Sequence, residues 1–450
     1  MNILTTTFYA DFVRYFNYIE KCFEDRIEKV SFYNIAIYPS AHYQWKKYNR
    51  HSILLPNHVM KSKTCLDNIP QVYKEINLEE IISFSYKTQK MFNREHTTSL
   101  KKQAIRYIDY FENLFTENTF DLYISSGDSR MLIRIADYFA KKNKVKIFYF
   151  EQGPFGTTIF DKKGVNCNIS FTENNVLDKK IDREKLYTYI KSYYQNRPVN
   201  YWKVHRKTFS RRMVNFYTFL WMYPPKYLHK LFPIDTQIGD FFFTTKRKQL
   251  AHKYMKLTQI TQDDPLPSKY ITFIMQVPSD AQLIENSSVY NSFLDMLVDI
   301  HNSMPKGYNL VVREHPYYKG QYPKELYEYI SKQSNIYLRS NLSLLETIKK
   351  TKLVILNNST VGIEALVFYK TVLTLGNAYY NLPGITYHLQ NKEELRSLIQ
   401  SALENPIKKD KIDNFLYYFL YDYLYIGHFQ DDKLQNGAKI VNDMIRELRR

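Results

Sequence analysis

Three stretches of this chain put reactive side chains directly behind runs of strand character, where α/β enzymes carry their sites. The first is Gln276-Val-Pro-Ser-Asp280-Ala-Gln282, the second Arg313-Glu-His315-Pro316, and the third Asn357-Asn358-Ser359-Thr360-Val-Gly362-Ile-Glu364. An aspartate after a strand can be a nucleophile or can cap the next helix. A histidine before proline can serve a reaction centre or can end a strand in a turn. Ser359 and Thr360 offer hydroxyls and N–H groups to an anion, or cap the helix they precede. Gln276, Gln282, Arg313, Asn358 and Glu364 complete a polar set able to bind a donor nucleotide. Upstream, Glu151-Gln-Gly153-Pro154 also follows a strand-like run, with Ser125-Ser126-Gly127-Asp128 before it and Gly164-Val-Asn166 after it. Glu151 is either a general base across an interdomain cleft or a turn residue. Asp128, Gly153 and Asn166 would line the acceptor side of that cleft. Three polar elements behind three strands are harder to explain as caps and turns than any one alone.

The elements that must position these residues read as alternating β and α. Residues 270–277, 309–313, 335–338, 353–356 and 371–375 are short, apolar and rich in β-branched residues. Between them, Val289, Phe293, Met296, Leu297 and Ile300 recur at helical spacing, and helices are expected at 325–332, 342–350 and 361–368. This alternation makes a parallel sheet covered on both faces, with ligands beyond the carboxyl ends of its strands. The first half is similar in kind. Strands at 122–125 and 145–150 flank a helix at 131–141, and 3–7 followed by 12–23 forms another βα unit. The polar, proline-bearing stretch 261–268 reads as the linker. The expected organisation is an acceptor-side α/β domain over 1–260 with a helical basic and aromatic insertion at about 183–256. A nucleotide-sugar domain over 261–405 and a helical tail over 406–450, packing back on the first domain, follow.

A chain of 450 residues exceeds what one core usually supports. Three scattered cysteines, Cys22, Cys65 and Cys167, argue against a disulfide framework or a zinc site. The first residues show neither a basic region nor a long apolar one, so no signal peptide is expected. The longest apolar stretch, 213–223, is interrupted by Asn215 and Thr218 and falls short of a membrane span. A cytoplasmic protein, peripheral on the inner face of the membrane, fits these features. The formal net charge is +18, and residues 201–233 hold seven Lys/Arg and no Asp or Glu, interleaved with aromatics. That pattern suits an anionic membrane surface, single-stranded nucleic acid, or a solvated basic helix whose aromatics turn inward. The membrane surface is the expected partner and nucleic acid is not.

No Asp-x-Asp triplet, Walker A loop, GxGxxG or Gly-x-Ser-x-Gly elbow occurs. The carboxylate clamp for a metal-bound nucleotide sugar is therefore missing, and P-loop, dinucleotide and α/β-hydrolase chemistry are disfavoured. With these absences, Glu151-Gln-Gly-Pro, Gly164-Val-Asn166, the Asp280 and His315 stretches, Asn358-Ser-Thr-Val-Gly-Ile-Glu-Ala365, Leu375-Gly376 and Pro383-Gly384 stand in an order that resembles the bacterial capsule polysaccharide synthesis family, which includes retaining β-Kdo transferases. The resemblance covers roughly residues 120–390.

The resemblance implies a GT-B-like architecture, two Rossmann-type parallel-sheet domains facing a cleft. It implies CMP-Kdo as donor, no metal and no cofactor, and a glycan or glycolipid acceptor at the cell surface. Asp280 then matches the nucleophile, His315 the histidine beside the reaction centre, and Glu151 the acceptor-side acid/base. Ser359 and Thr360 match the loop that holds the CMP phosphate. A leaving phosphate needs no general acid, and the second step needs a base. Competing readings are transfer of another CMP-activated nonulosonic acid (sialic, legionaminic or pseudaminic), a noncatalytic nucleotide- or polysaccharide-binding partner in an envelope assembly, and a nucleic-acid-binding protein. A binding module has no need of Asp280, Glu151 and His315 in one cleft, and a nucleic-acid protein would put its basic residues inside it.

Overall fold

In the computed structural model the apolar runs become strands; those of the second half are no longer than their sequence signal, and those of the first half extend a residue or two beyond it. The structure describes residues 1–60, 75–92, 94, 96–176, 180–196, 209–241, 245, 249 and 265–450. Two units divide the chain. One holds Met1–Ser170, Tyr187–Phe241 and Leu420–Arg450, and the other Phe171–Leu186 and Phe242–Phe419. The tail stretch 406–450 is thus split between them: the helix Lys409–Tyr418 belongs to the second unit, and Leu420–Arg450 to the first. Residues 261–264 of the linker stretch and 201–208 of the basic stretch lie outside the described residues.

The first unit contains strands β1 (Asn2–Thr7), β2 (Ser31–Ala36), β3 (Ser52–Leu54), β4 (Leu122–Ser126), β5 (Lys146–Gln152) and β6 (Thr157–Asp161). The second contains β7 (Tyr270–Ile274), β8 (Asn309–Arg313), β9 (Ile336–Leu338), β10 (Val354–Leu356), β11 (Val372–Thr374) and β12 (Tyr387–His388), and β13 (Tyr425–Ile426) returns to the first. The second sheet runs β12-β11-β10-β7-β8-β9, all parallel. Counted from its own first strand this is the doubly wound order 3-2-1-4-5-6, whose ligand crevice opens between the first and fourth strands. Register fixes the crevice floor, because Arg313, Ile274, Leu356, Thr374 and His388 stand in one row across the sheet. The residues that follow each of them therefore leave from the same edge.

The first sheet runs β13-β6-β5-β4-β1-β2-β3. Its five parallel strands repeat the same order, 3-2-1-4-5, and β6 and β13 add an antiparallel edge. The chain therefore has the GT-B-like composition of two Rossmann-type units. β6 has no counterpart in the sequence reading. Its Thr157 and Thr158 are polar, yet both are fully buried, so burial in the sheet overrides the weak local signal.

One buried carboxylate gives the first unit a pH signature. Glu20, on the helix Ala10–Glu24, is 2% exposed, and its nearest cation, Arg50 Nε at 3.4 Å, also grips Glu24 through both Nη atoms. Burial outweighs that shared charge and pushes the Glu20 pKa up to about 8. A raised folded pKa means the folded state holds a proton that the unfolded state has released. Stability is then fully present below the unfolded value and is lost as pH rises through about 8. Glu20→Gln is expected to flatten this loss, gaining on the order of 2 kcal/mol or more over the wild type at pH about 9. Urea midpoints of the two chains at acid and alkaline pH measure it.

Candidate active site

At the crevice of the second unit, the loops behind β7 and β10 are tied to each other. The Gln276 side chain donates to Asn358 Oδ1 at 3.0 Å, and its Oε1 accepts the Asn358 backbone N–H at 3.1 Å. Asn358 Nδ2 donates to the Gln282 carbonyl at 2.9 Å. The loop behind β8 joins through Tyr322, whose hydroxyl donates to the Gln276 carbonyl at 2.8 Å and accepts the His315 N–H at 3.3 Å. Gln276, Asn357 and Asn358 are all buried. Such a closed polar network fixes loops that would otherwise sample many conformations. Asn357 Oδ1 accepts from Ser287, while its buried Nδ2 has no partner among the described residues. Gly376 is required beside it, because a Cβ there would lie 2.8 Å from Asn357 Oδ1.

The three sequence stretches are thus brought together, with different duties inside each. Asp280 is half-buried and caps the helix Ala281–Asn286, its Oδ1 accepting the Gln282 N–H at 3.0 Å. His315 caps the short turn Pro316–Tyr318, where its Nδ1 accepts the Tyr317 N–H at 3.3 Å. Its proton is therefore on Nε2. Burial, then the charge of Arg313, holds its pKa below the usual histidine range, so the ring is a neutral hydrogen-bond donor at neutral pH. Arg313 is 8% exposed, spends Nη1 and Nη2 on the carbonyls of Glu314 and Leu342, and among the described residues leaves Nε without a partner. Glu364 supplies the opposing charge it feels.

At the third stretch the expected supply of open helix N–H groups is not what the loop offers. Ser359 itself satisfies the first turn: its Oγ accepts the Val361 N–H at 3.3 Å, and its carbonyl accepts that of Gly362 at 2.9 Å. The hydroxyl protons of Ser359 and of exposed Thr360 remain the donors an anion would meet. Buried Tyr380 donates to the Ser359 carbonyl from below, so close that a Cβ at position 362 would sit 2.4 Å from its hydroxyl. Only glycine fits there. Asn357 and Glu314 stand inside the sequence stretches with no role assigned to them, and Tyr322 and Tyr380 lie outside those stretches. Nothing in the sequence separates the two from the other tyrosines of the chain, which has 41.

In the first unit, Glu151 and Gly153 lie on the β5–β6 hairpin rather than on a loop leading to a helix. Glu151 is half-buried and pairs with Ile159 in the ladder, and its Oε1 accepts the Gln152 N–H at 2.8 Å. Gly153 allows the turn to close, since a Cβ there would come within 2.2 Å of Thr157 Oγ1. Asp128, behind β4, reaches the Gly164–Asn168 loop: its Oδ2 accepts from the Val165 N–H at 3.0 Å and from Asn168 Nδ2 at 2.9 Å. Buried Asn166 adopts φ +57° in that loop. The motifs Ser-Ser-Gly-Asp and Gly-Val-Asn are therefore one construction, with Asp128 as the brace. Among the described residues no three His, Cys, Asp or Glu side chains gather where a metal could sit, and no helix is long and apolar enough to cross a membrane.

The basic stretch separates into two faces. On the helix Phe209–Met222, Thr218 and Trp221 are buried, and Arg211 turns back to Asp11 at 2.7 Å. Phe209, Met213, Phe216 and Tyr217 are exposed, as are Tyr227, Leu228 and Leu231 beyond. The reading in which the aromatics turn into the core therefore holds for Trp221 and fails for this face.

A sequence model described as capsule polysaccharide biosynthesis protein matches residues 123–418. The chain belongs to the capsule polysaccharide biosynthesis family. The matched region takes in the crevice loops and the β5–β6 hairpin. Within the family's wider neighbourhood, the chain is 26% identical over 297 residues to the capsule polysaccharide export protein KpsS of Escherichia coli, covering 62% of this chain and 72% of that one. It is 22% identical to the capsule polysaccharide modification protein LipB of Neisseria meningitidis serogroup B, covering 65% and 72%. Among solved structures it is similar to KpsC of Thermosulfurimonas dismutans, described as a beta Kdo 2,7 transferase, at 14% identity and a TM-score of 0.37, covering 75% of this chain and 89% of that one.

Proposed function

We propose that this member of the capsule polysaccharide family is a retaining glycosyltransferase that moves Kdo from CMP-Kdo to a cell-surface glycan or glycolipid. The observation that carries the reading is the Gln276–Asn358–Tyr322 network, which holds the Asp280, His315 and Ser359 loops at one crevice. In the first step Asp280 attacks the anomeric carbon and the bond to CMP breaks, leaving a glycosyl ester and a phosphate monoester. The hydroxyls of Ser359 and Thr360 donate to that departing phosphate, and its low basicity makes a general acid unnecessary. In the second step Glu151 takes the acceptor's hydroxyl proton, the oxygen attacks the same carbon, and Asp280 leaves as a carboxylate. Two inversions retain configuration. The sugar's own carboxylate would repel Asp280, and the Arg313 charge offsets this. Neutral His315, with Nε2–H as donor, hydrogen-bonds the sugar rather than carrying it. The exposed aromatic face of residues 209–231 rests on an anionic membrane surface, on the cytoplasmic side.

Isothermal calorimetry tests the donor assignment. CMP is expected to bind and UDP and GDP are not, and Ser359→Ala with Thr360→Ala should cost about 1.5–3 kcal/mol per bond removed. Unchanged CMP affinity in the double variant, or a preference for UDP, would overturn it.

A further inference from the structure

The first unit has a cavity of about 240 Å³, lined by His96, Lys102, Arg106, His229 and Lys230 among others and, among the described residues, by no acidic side chain. Lys102 and Arg106 are four residues apart on the helix Thr97–Glu117, so they share a face. Like charges at that spacing oppose each other unless an anion lies between them. The rings of His96 and His229 stack at 4.7 Å, and His229 Nδ1 donates to the Lys226 carbonyl at 2.6 Å. Burial, followed by the charges of His229, Arg94 and Lys230, holds the His96 pKa below its ordinary value, as a positive wall requires. Arg94 is already paired with buried Asp240, and a second buried carboxylate lies behind Gln103 of the lining. Asp235 is buried and takes hydrogen bonds from Gln103 Nε2 and the Tyr107 hydroxyl.

The segment that brings His229 and Lys230 to the cavity also carries Tyr227 and Leu231, which are 88% and 68% exposed. Apolar side chains that enter the acyl boundary would set neighbouring cations at the depth of the lipid phosphates. The volume is below that of a site for a drug-sized ligand and suits a phosphate with a few attached carbons.

We propose that this cavity binds the headgroup phosphate of an anionic bilayer phospholipid, through Lys102, Arg106 and Lys230, and so retains the chain on the membrane. The proposal rests on the membrane reading above and adds a defined ligand site to it.

The test compares two double variants of the full chain that remove equal charge: Lys102→Gln with Arg106→Gln in the cavity, and Arg212→Gln with Lys226→Gln on the exposed face. Sedimentation uses phosphatidylcholine vesicles with and without phosphatidylglycerol, and unfolding midpoints confirm that both variants fold. A second arm follows the His229 ring resonances during titration with soluble glycerol 3-phosphate. The cavity variant is expected to lose at least about tenfold more vesicle affinity than the control pair, and its histidine shifts should vanish. Equal losses in the two variants would mean a diffuse basic face and overturn the site. Histidine shifts in a wild type that ignores vesicles would assign the cavity to a free phosphate and overturn the lipid source. Vesicle binding by the wild type with no cavity effect and no shifts would overturn the cavity alone and leave the membrane reading standing.

Discussion

Asp280→Asn is expected to lower transfer by about 10⁴-fold or more while leaving the fold intact. The separation is possible because Asp280 has a visible structural duty, accepting the Gln282 N–H at 3.0 Å. Asparagine caps a helix about as well as aspartate, so that duty survives the change. What is lost is the negative oxygen that forms the bond to the sugar. Turnover with CMP-Kdo, read beside the thermal midpoint, distinguishes the roles: retained turnover would leave Asp280 as a cap and nothing more.

Glu314→Ala is expected to cost about 3 kcal/mol or more of stability in the second unit. Glu314 is 1% exposed and its carboxylate takes three hydrogen bonds, from the Gly320 N–H, the Tyr327 hydroxyl and the Ser340 hydroxyl. These staple the turn that carries His315 to the end of β9. Removing the acceptor orphans two buried donors and a half-buried one and releases the turn, so donor affinity should fall with stability. Glu314→Gln keeps one acceptor oxygen and is expected to lose less. Chemical denaturation of the three chains measures the order, and an alanine variant as stable as wild type would contradict it.

The second half of the chain was largely legible because its strands are continuous apolar runs, which a doubly covered parallel sheet demands. Asn309–Arg313 is the clearest case, with strand bounds that coincide with the sequence signal. β12 and β13 have two residues each, too short for any periodicity, and exist only through their neighbours. β2 escaped the reading because its exposed Ser31 and polar Asn34 break the apolar run, although Asn34 is buried against Thr5 at 2.6 Å. At the site, the loops were readable from their polar residues after strands, but the division of labour within them was not. Glu314 looks as reactive as His315 in sequence. Only the three donors that converge on it identify it as a staple. Ser359 looks like an open anion site until its oxygens are seen to satisfy the turn that follows it. Such distinctions depend on what lies opposite each side chain in space, and no local pattern encodes that.

Incubating the chain with CMP-Kdo and no acceptor, then weighing its peptides, tests the double displacement most directly. A Kdo adduct is expected on the peptide that contains Asp280, and Glu151→Gln should make it accumulate, because the second step loses its base while the first is spared. An adduct on His315 instead would contradict the assignment of nucleophile. Turnover in Asp280→Asn with no adduct on any peptide would contradict the covalent route itself.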